Sequence, residues 1–168
     1  MPLTRLRRRS KVIIGAAALV AVIAGAGVYA YVNNVSVVRY TSGHGQVTVK
    51  SNAVDGHGPV LVTDKGFALY MFPPDEASRV SCTGDCAFAW PPLLVSGGGT
   101  VVAGEGVRAG LLGTMPNPDG GGRVVTYHGW PLYTYLGDAG PGTATGQGVN
   151  ADGGYWYLMR PSGAIVSN

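Results

Sequence analysis

The chain of 168 residues contains an internal repeat, and this repeat limits the possible folds more than any other feature of the sequence. When the sequence is shifted by 63 positions, residues 62–75 align with residues 125–138. Six of the fourteen aligned positions are identical, and two more keep an aromatic residue. Because a repeat defines the architecture of a chain, the alignment predicts one domain built from two similar halves.

Each copy of the repeat has the pattern of a β-hairpin. An apolar strand, residues 60–63 or 123–126, leads to a turn closed by Gly66 or Gly129, since glycine adopts the positive φ that hairpin turns often require. Pro131 lacks a backbone donor, so we expect it at a sheet edge or at a position without a ladder hydrogen bond. The second strand of the first copy alternates between two faces, with Phe67, Leu69 and Met71 on one and Ala68, Tyr70 and Phe72 on the other.

The composition favours a β-rich fold. The 28 glycines and 11 prolines disfavour long helices, whereas nine tyrosines, three tryptophans and three phenylalanines are available for burial. The predicted fold is mainly β, with antiparallel hairpins in two pseudo-repeats that form one small sandwich or barrel-like domain, preceded by one N-terminal transmembrane helix. Repeat 1 is expected at about residues 47–95 and repeat 2 at about residues 107–163, within an extracytoplasmic domain of residues 47–168.

Segments outside the hairpins supply further elements. Residues 46–50 and 154–160 alternate in the manner of strands. Residues 86–90 predict a short helical turn that Pro91-Pro92 ends. Loops are predicted at residues 97–99 and 116–122, and residues 111–115 are left without an assignment.

The N-terminus has the pattern of a membrane segment. Residues 1–11 carry five of the twelve positive charges, and the 21 residues Val12–Val32 carry none. As a helix the apolar segment would span about 30 Å, the thickness of a bilayer core, and the positive-inside rule keeps residues 1–11 in the cytoplasm. The small residues at 24–26 and 28–30 also fit signal-peptide cleavage, but we expect an uncleaved anchor, followed by a linker at residues 33–46.

The net charge of +3 comes from this N-terminal segment. From residue 33 onward the chain has seven positive and nine negative side chains, so the globular part is mildly acidic. A basic patch for phosphate groups is therefore not predicted, and no nucleic-acid partner is expected.

The two cysteines, Cys82 and Cys86, are predicted to form a disulfide, because the domain is expected outside the cytoplasm and a spacing of four permits bridging. Two alternatives stay open, a redox-active dithiol and a metal site. The metal site would need further ligands, and His44, His57 and His128 are scattered along the sequence, so no metal is expected.

Several motifs give the chain a resemblance to a known bacterial family. They are the two copies of a Tyr-x-aromatic-x-x-Asp motif, Tyr70–Asp75 and Tyr133–Asp138, together with Cys82–Leu93, Tyr127–Tyr133 and the stretch from Gly146 to Trp156. On these residues the chain resembles the "secreted repeat of unknown function" family of predicted lipoproteins. The resemblance implies an architecture and a location outside the cytoplasm but no chemistry, and the N-terminal segment here lacks the cysteine to which a lipid would be attached.

The repeat motif provides the first candidate site, with a structural or a binding role. In the structural interpretation, the aspartates cap the loops that follow and the tyrosine hydroxyls satisfy buried backbone groups. In the functional one, a phenol paired with a carboxylate binds a ligand, transfers a proton or supports electron hopping. The motif residues concerned are Tyr70, Phe72, Asp75, Tyr133, Tyr135 and Asp138.

The tryptophans provide a second candidate. Trp90 and Trp130 are each followed by proline, and with Trp156 they form a possible aromatic groove for a peptide or a glycan. The simpler interpretation places them in the core. A copper site built from methionines and His128 is not favoured, because the methionines are not clustered in the sequence.

No catalytic grouping is recognised, and no cofactor is expected. The predicted function is a membrane-tethered, extracytoplasmic, non-enzymatic binding or accessory module of the bacterial cell envelope. Its expected partners are the cytoplasmic membrane, through residues 12–32, and an unidentified envelope protein or small ligand. The alternative is a redox or electron-transfer accessory protein that uses the Cys82/Cys86 pair or a bound metal or cofactor.

Overall fold

A computed structural model of the chain describes residues 31–32, 35–36 and 45–167. The predicted basic segment, residues 12–30 of the predicted anchor and most of the predicted linker lie outside this part. At the end of the predicted anchor, β1 (Tyr31–Val32) pairs antiparallel with β2 (Val35–Ser36). The described ranges contain no helix with the length and apolar character needed to cross a membrane.

Residues 45–167 are mainly β. The strands are β3 (Gln46–Ala53), β4 (Pro59–Thr63), β5 (Tyr70–Met71), β6 (Leu94–Val95), β7 (Thr100–Ala103), β8 (Leu112–Pro116), β9 (Arg123–Tyr127), β10 (Trp130–Pro131), β11 (Asn150–Ala151), β12 (Gly154–Tyr155) and β13 (Tyr157–Leu158). One short helix, α1 (Asp85–Ala89), and two 3-10 turns (Pro73–Asp75 and Ala109–Leu111) complete the described elements. The unassigned segment 111–115 therefore falls mostly in β8.

These strands form small sheets that do not close into a barrel. One sheet has the order β4-β3-β7, another the order β10-β9-β6 with β8 also paired to β9, and β13 pairs with β5. All pairings are antiparallel except that of β3 with β7. The expectation of a mainly β, antiparallel fold is confirmed, whereas the barrel-like closure is wrong, because short strands joined by glycine-rich turns end before a ring can form.

The two hairpins have the predicted glycines at their turns, but the turns differ in length. In repeat 2, His128 and Gly129 alone connect β9 to β10, with φ of 51° and 83°, which is the geometry of a two-residue type I′ turn. In repeat 1, the backbone N–H of Thr63 donates to the carbonyl of Phe67 over 2.9 Å, so three residues form the turn. Its third residue, Gly66, has a φ of 87°.

The alternation predicted along residues 67–72 separates two buried clusters. Ala68, Tyr70 and Phe72 lie in the first cluster, whereas Leu69 and Met71 lie in the second. Both faces of this strand are therefore buried, and the strand divides the core.

Each repeat completes its sheet with a strand from the other repeat. Leu94 and Val95, at the end of repeat 1, pair with β9 of repeat 2. Tyr157 and Leu158, at the end of repeat 2, pair with β5 of repeat 1. The predicted strand 154–160 is interrupted at Trp156, and its second part makes this exchange.

The two halves are related by an approximate twofold axis near Tyr70 and Tyr133. These equivalent tyrosines exchange both backbone hydrogen bonds, with N···O distances of 2.8 Å and 3.0 Å. Pro92 bridges to Tyr133, and Leu158 pairs with Tyr70 in the equivalent way. The repeats therefore depend on one another for both sheets and core, and their motif residues meet at the centre.

Candidate functional site

The tyrosine of each motif donates its hydroxyl hydrogen to the aspartate of the other motif. The hydroxyl of Tyr70 lies 3.0 Å from Oδ2 of Asp138, and that of Tyr133 lies 2.7 Å from Oδ2 of Asp75. All four residues are buried. We call these the two Tyr–Asp pairs. The pairs join the repeats through side chains at the place where the backbones already meet.

Asp75 also holds the chain segment that follows it in repeat 1. It ends the 3-10 turn that begins at Pro73, and its Oδ1 accepts hydrogen bonds from the backbone N–H and the hydroxyl of Ser81, both at 2.7 Å. The backbone N–H of Cys82 donates to the same oxygen at 3.3 Å. The carboxylate therefore caps the loop that follows it.

Asp138 does the same in repeat 2 with different partners. Its Oδ1 accepts from the backbone N–H of Thr145 at 2.8 Å and from the Thr145 hydroxyl at 2.9 Å. The backbone N–H of Gly146 donates to the hydroxyl oxygen of Tyr70 over 3.2 Å. In both repeats one carboxylate oxygen caps a loop and the other receives a phenol.

Burial changes the acid–base properties of these groups. It raises the pKa of Tyr70 and of Tyr133 far above the ordinary value, and the nearby carboxylates, Asp138 and Asp75 respectively, act in the same direction. Burial also raises the pKa of Asp138, although the hydrogen bonds from Thr145 and Tyr70 oppose the shift. The phenols are therefore protonated donors at neutral pH.

Four aromatic rings form a continuous stack across the approximate axis, which we call the aromatic stack. Phe72 stacks on Trp156 with ring centroids 4.2 Å apart, Trp156 on Trp90 at 4.0 Å, and Trp90 on Tyr135 at 3.9 Å. The two indoles are almost parallel, with an interplanar angle of 2°. Phe72 and Tyr135 are equivalent residues of the two motifs, so the stack has a motif ring at each end.

The tyrosines of the Tyr–Asp pairs contact the stack edge-on. The ring of Tyr70 lies 5.5 Å from Trp90, and that of Tyr133 lies 5.2 Å from Trp156, at interplanar angles of 78° and 88°. Edge-to-face contacts of this kind are favourable because the positive ring edge meets the negative ring face. Stack and pairs therefore form one connected group, buried except at Tyr135, which is partly exposed.

Two glycines allow backbone to approach this group closely. A Cβ at Gly146 would lie 2.8 Å from the Trp90 ring and 2.9 Å from the Tyr70 ring. A Cβ at Gly154 would lie 2.9 Å from Phe72. The loop of repeat 2 thus lies directly against the aromatic rings, and only glycine fits at these two positions without displacement.

Cys82 and Cys86 are joined in a disulfide, with their α-carbons 5.2 Å apart. Cys82 is buried beside Asp75, and Cys86 lies in α1, which precedes Trp90. The disulfide therefore fixes the segment between one Tyr–Asp pair and the aromatic stack. Within the described ranges, no group of three or more His, Cys, Asp or Glu residues is placed to hold a metal ion.

A polar cleft of about 480 Å³ lies away from the buried motif. The turn of the repeat 1 hairpin, β3 and the loop at Pro141 form its walls. Two cations, Lys50 and Lys65, and two anions, Asp64 and Glu105, line it. It is defined by these four charged residues together with Ser51 and Asn52.

The structure separates Trp130 from the other two tryptophans that a groove would require. Trp90 and Trp156 are buried against each other, whereas Trp130 is partly exposed and packs against the second cluster. The groove interpretation is therefore wrong for this set, because the parallel indole faces cover each other and are closed to solvent. All six motif residues are brought together, by contrast, and in a way that the sequence analysis missed.

The molecule is thus a two-repeat β protein whose halves exchange strands and buried side chains. The chain belongs to the family described as a secreted repeat of unknown function, whose model matches residues 51–94 and 114–159. The two matched ranges are the two repeats, which confirms the resemblance inferred from the motifs. Neither a search of curated proteins nor a search of solved structures found a match.

Proposed function

We propose that this protein is a membrane-tethered, extracytoplasmic, non-enzymatic binding module of the bacterial cell envelope, and that its polar cleft receives a small polar ligand. The description of the family as a secreted repeat supports a location outside the cytoplasm. Tethering would come from residues 12–32, whose apolar sequence follows a basic segment. The polar atoms of the motif residues are engaged with one another in the core, so we look for the ligand site elsewhere on the protein.

The observation that carries the proposal is the cleft itself. Its volume of about 480 Å³ falls within the range of small-molecule sites. Its two cations and two anions balance, and Ser51 and Asn52 add donors and acceptors. Such a lining suits a neutral ligand rich in hydroxyl or amide groups, the chemistry of an envelope sugar, better than an anion or an apolar molecule.

The position of the cleft in the fold also favours ligand binding. Its walls include exposed side chains of β3 and of the hairpin turn. The backbone beneath is nevertheless fixed, because residues 50–52 pair with β4 and the backbone N–H of Ser51 donates to the carbonyl of Glu105 over 2.9 Å. The Lys50 ammonium group donates to the carbonyl of Asp64 over 3.2 Å, which links strand and turn. A fixed framework that carries exposed polar groups reduces the entropy lost on binding.

Photocrosslinking in the native host tests the cleft. A diazirine amino acid replaces Asn52 at the cleft in one variant and exposed Ala109, outside the cleft, in the matched control. We expect a mass adduct on the Asn52 variant that Lys50→Ala or Glu105→Ala diminishes. Equal labelling at both positions, or labelling that neither substitution changes, would show that the cleft does not select a ligand.

The intact mass of the membrane-bound protein tests the tether, since an uncleaved anchor keeps residues 1–32.

The disulfide supports a second candidate, a redox accessory role. Cys86 is partly exposed, and Cys82 contacts the carboxylate of Asp75, so reduction would alter a segment that the core depends on. The reduction potential separates the two functions. A value below about −300 mV is typical of structural disulfides, whereas a value well above it, together with partly reduced protein in cells, would favour the redox role.

A further inference from the structure

We infer that the aromatic stack and the two Tyr–Asp pairs form a site of reversible one-electron oxidation that needs no bound cofactor. An oxidising equivalent enters at Tyr135, passes through Trp90 and Trp156, and is stabilised as a neutral radical on Tyr70 or Tyr133. Neither the cysteine pair nor the polar cleft takes part.

The first support is the continuity of the oxidisable rings. Tyr135, Trp90 and Trp156 are stacked at centroid distances of 3.9 Å and 4.0 Å, so each neighbouring pair is in van der Waals contact. Indole and phenol rings lose an electron far more readily than a phenyl ring. Phe72 at the buried end therefore closes the path, and partly exposed Tyr135 opens it towards solvent.

The second support is a proton acceptor at each tyrosine. A phenol that loses an electron becomes a strong acid, and it forms a stable neutral radical only if a base receives its proton. The Asp75 carboxylate lies 2.7 Å from the Tyr133 hydroxyl, and the Asp138 carboxylate lies 3.0 Å from the Tyr70 hydroxyl. Both distances lie within the reach required for direct proton transfer.

The third support concerns where the oxidation comes to rest. The indole N–H of Trp156 is buried, and no acceptor among the described residues lies within hydrogen-bond distance of it. An oxidised Trp156 therefore has no base there for its proton and remains a short-lived cation radical. Tyr133 contacts the same indole edge-on, and its hydroxyl is hydrogen-bonded to the carboxylate of Asp75, which can accept the proton. The electron vacancy therefore moves to the tyrosine.

The oxidation of Tyr133 requires a one-electron oxidant, and a metal complex is the class of oxidant that we propose. The oxidant is reduced by one electron, the O–H bond of Tyr133 breaks, and its proton moves to Oδ2 of Asp75. The products are a neutral tyrosyl radical and a protonated Asp75. A later one-electron reductant restores the phenol, and the proton returns to it.

The experiment uses the full chain in detergent with photogenerated tris(bipyridine)ruthenium(III) as oxidant, followed by freezing and electron paramagnetic resonance. We expect a tyrosyl signal in the native protein. The Tyr70→Phe/Tyr133→Phe double variant keeps both rings, and it should lose most of that signal while an indole radical persists longer. Each single variant keeps one pair and should lose part of the signal, which preserves the test if the double variant does not fold.

Two control variants distinguish this site from other tyrosines. Tyr127 is buried, but its hydroxyl donates to the carbonyl of Pro161 at 2.7 Å, so Tyr127→Phe should leave the signal unchanged. Tyr155 is 49% exposed, and Tyr155→Phe should also leave the signal unchanged. A signal that survives the double variant, or that disappears with Tyr155→Phe, would overturn the inference.

Asp75→Asn should slow formation of the radical, with an added slowing in heavy water.

Discussion

Each motif aspartate forms a Tyr–Asp corner with the phenol that donates to it and the loop that it caps, and the two corners are closed by different means. Asp75 in repeat 1 accepts four hydrogen bonds, and the disulfide Cys82–Cys86 holds the end of the loop it caps to α1. Asp138 in repeat 2 accepts three hydrogen bonds. The loop it caps is fixed instead by Asp55, whose carboxylate accepts from the backbone N–H of Ala144 over 2.6 Å. One corner is closed by a covalent bond and the other by a hydrogen bond from a distant part of repeat 1.

This difference shows which features the duplicated fold needs in both halves. Phenol, carboxylate and capped loop occur twice, so they belong to the shared architecture. The disulfide occurs once, in the loop that leads through α1 to Trp90. The equivalent loop in repeat 2 lies against the Trp90 ring at Gly146. We therefore expect mutations of the shared features to lower stability by comparable amounts in the two repeats. Mutations of the two loop closures should lower stability by unequal amounts.

The largest effect should come from the two tryptophans, and it should not distinguish the repeats. Trp90→Ala and Trp156→Ala each remove a buried ring from the middle of the aromatic stack, at an expected cost of about 4 kcal/mol in the free energy of unfolding. Chemical denaturation followed by circular dichroism measures both. Trp130→Ala is the control and should cost clearly less, since that ring is partly exposed. A large inequality between Trp90 and Trp156 would argue against a stack shared equally by the halves.

The aspartates should show the next largest effect. Asp75→Ala leaves a buried phenol and loop N–H groups without their acceptor, and we expect a loss of about 3 kcal/mol. Asp138→Ala loses fewer hydrogen bonds and should cost about 2 kcal/mol. Denaturant titrations give both values, and exposed Asp64→Ala is a control expected to change stability little.

A double-mutant cycle tests the exchange between the repeats directly. Tyr133 and Asp75, from different motifs, should show a coupling free energy of about 1–2 kcal/mol, whereas Tyr70 and Asp75, from the same motif, should be additive within about 0.5 kcal/mol. Tyr→Phe and Asp→Ala are suitable substitutions because they keep the ring and the backbone. Stronger coupling within one motif than between motifs would contradict the cross-paired arrangement.

The loop closures should have smaller and unequal effects. Removing the disulfide by Cys82→Ser/Cys86→Ser is expected to cost about 2 kcal/mol, the low end for disulfides because the closed loop is short. Asp55→Ala removes one hydrogen bond in repeat 2 and should cost about 1 kcal/mol. Thermal unfolding compares the two variants, with Asp152→Asn as a surface control. If Asp55→Ala costs more than loss of the disulfide, the covalent closure is not the stronger of the two.

The hairpins, the alternation of residues 67–72 and the disulfide were predictable because each depends on neighbouring residues. Gly66, for example, marks its turn through local backbone geometry alone. The pairing of Tyr70 with Asp138 was not, since it joins positions 68 residues apart. The repeat itself contained a usable signal. Two equivalent halves around an approximate twofold axis can exchange equivalent contacts, so each motif tyrosine could have been tested against the aspartate of the other motif.

The stack of Trp90 on Trp156 was also missed. Both residues lie outside the aligned segments 62–75 and 125–138, and they are 66 positions apart, whereas the offset of the repeat alignment is 63. Their equivalence becomes visible only from the exchanged segments that follow them, since Pro92 bridges to Tyr133 in the way that Leu158 pairs with Tyr70. Sequence periodicity locates a strand, but it does not say which sheet a short terminal strand will complete.

The smallest expected effect is the pH dependence that Asp138 gives to the stability of its corner. Burial raises the pKa of Asp138 above its ordinary value of 3.8, so between these two values the folded state holds a proton that the unfolded state has released. In that window the contribution of Asp138 to stability grows as pH falls, with a slope of at most about 1.4 kcal/mol per pH unit. At higher pH, where both states are ionised, this contribution is absent.

Unfolding free energies measured from pH 7 down to pH 4 test the sign, with Asp138→Asn as the matched variant. Subtracting the two curves removes the contributions of the other carboxylates, and the difference should favour the native protein increasingly as pH falls. Thr145→Val removes a hydroxyl whose hydrogen bond lowers the pKa of Asp138, so the window should extend to higher pH in that variant. A difference curve that is flat, or that slopes the other way, would mean that the Asp138 carboxyl is not destabilised by burial at this corner.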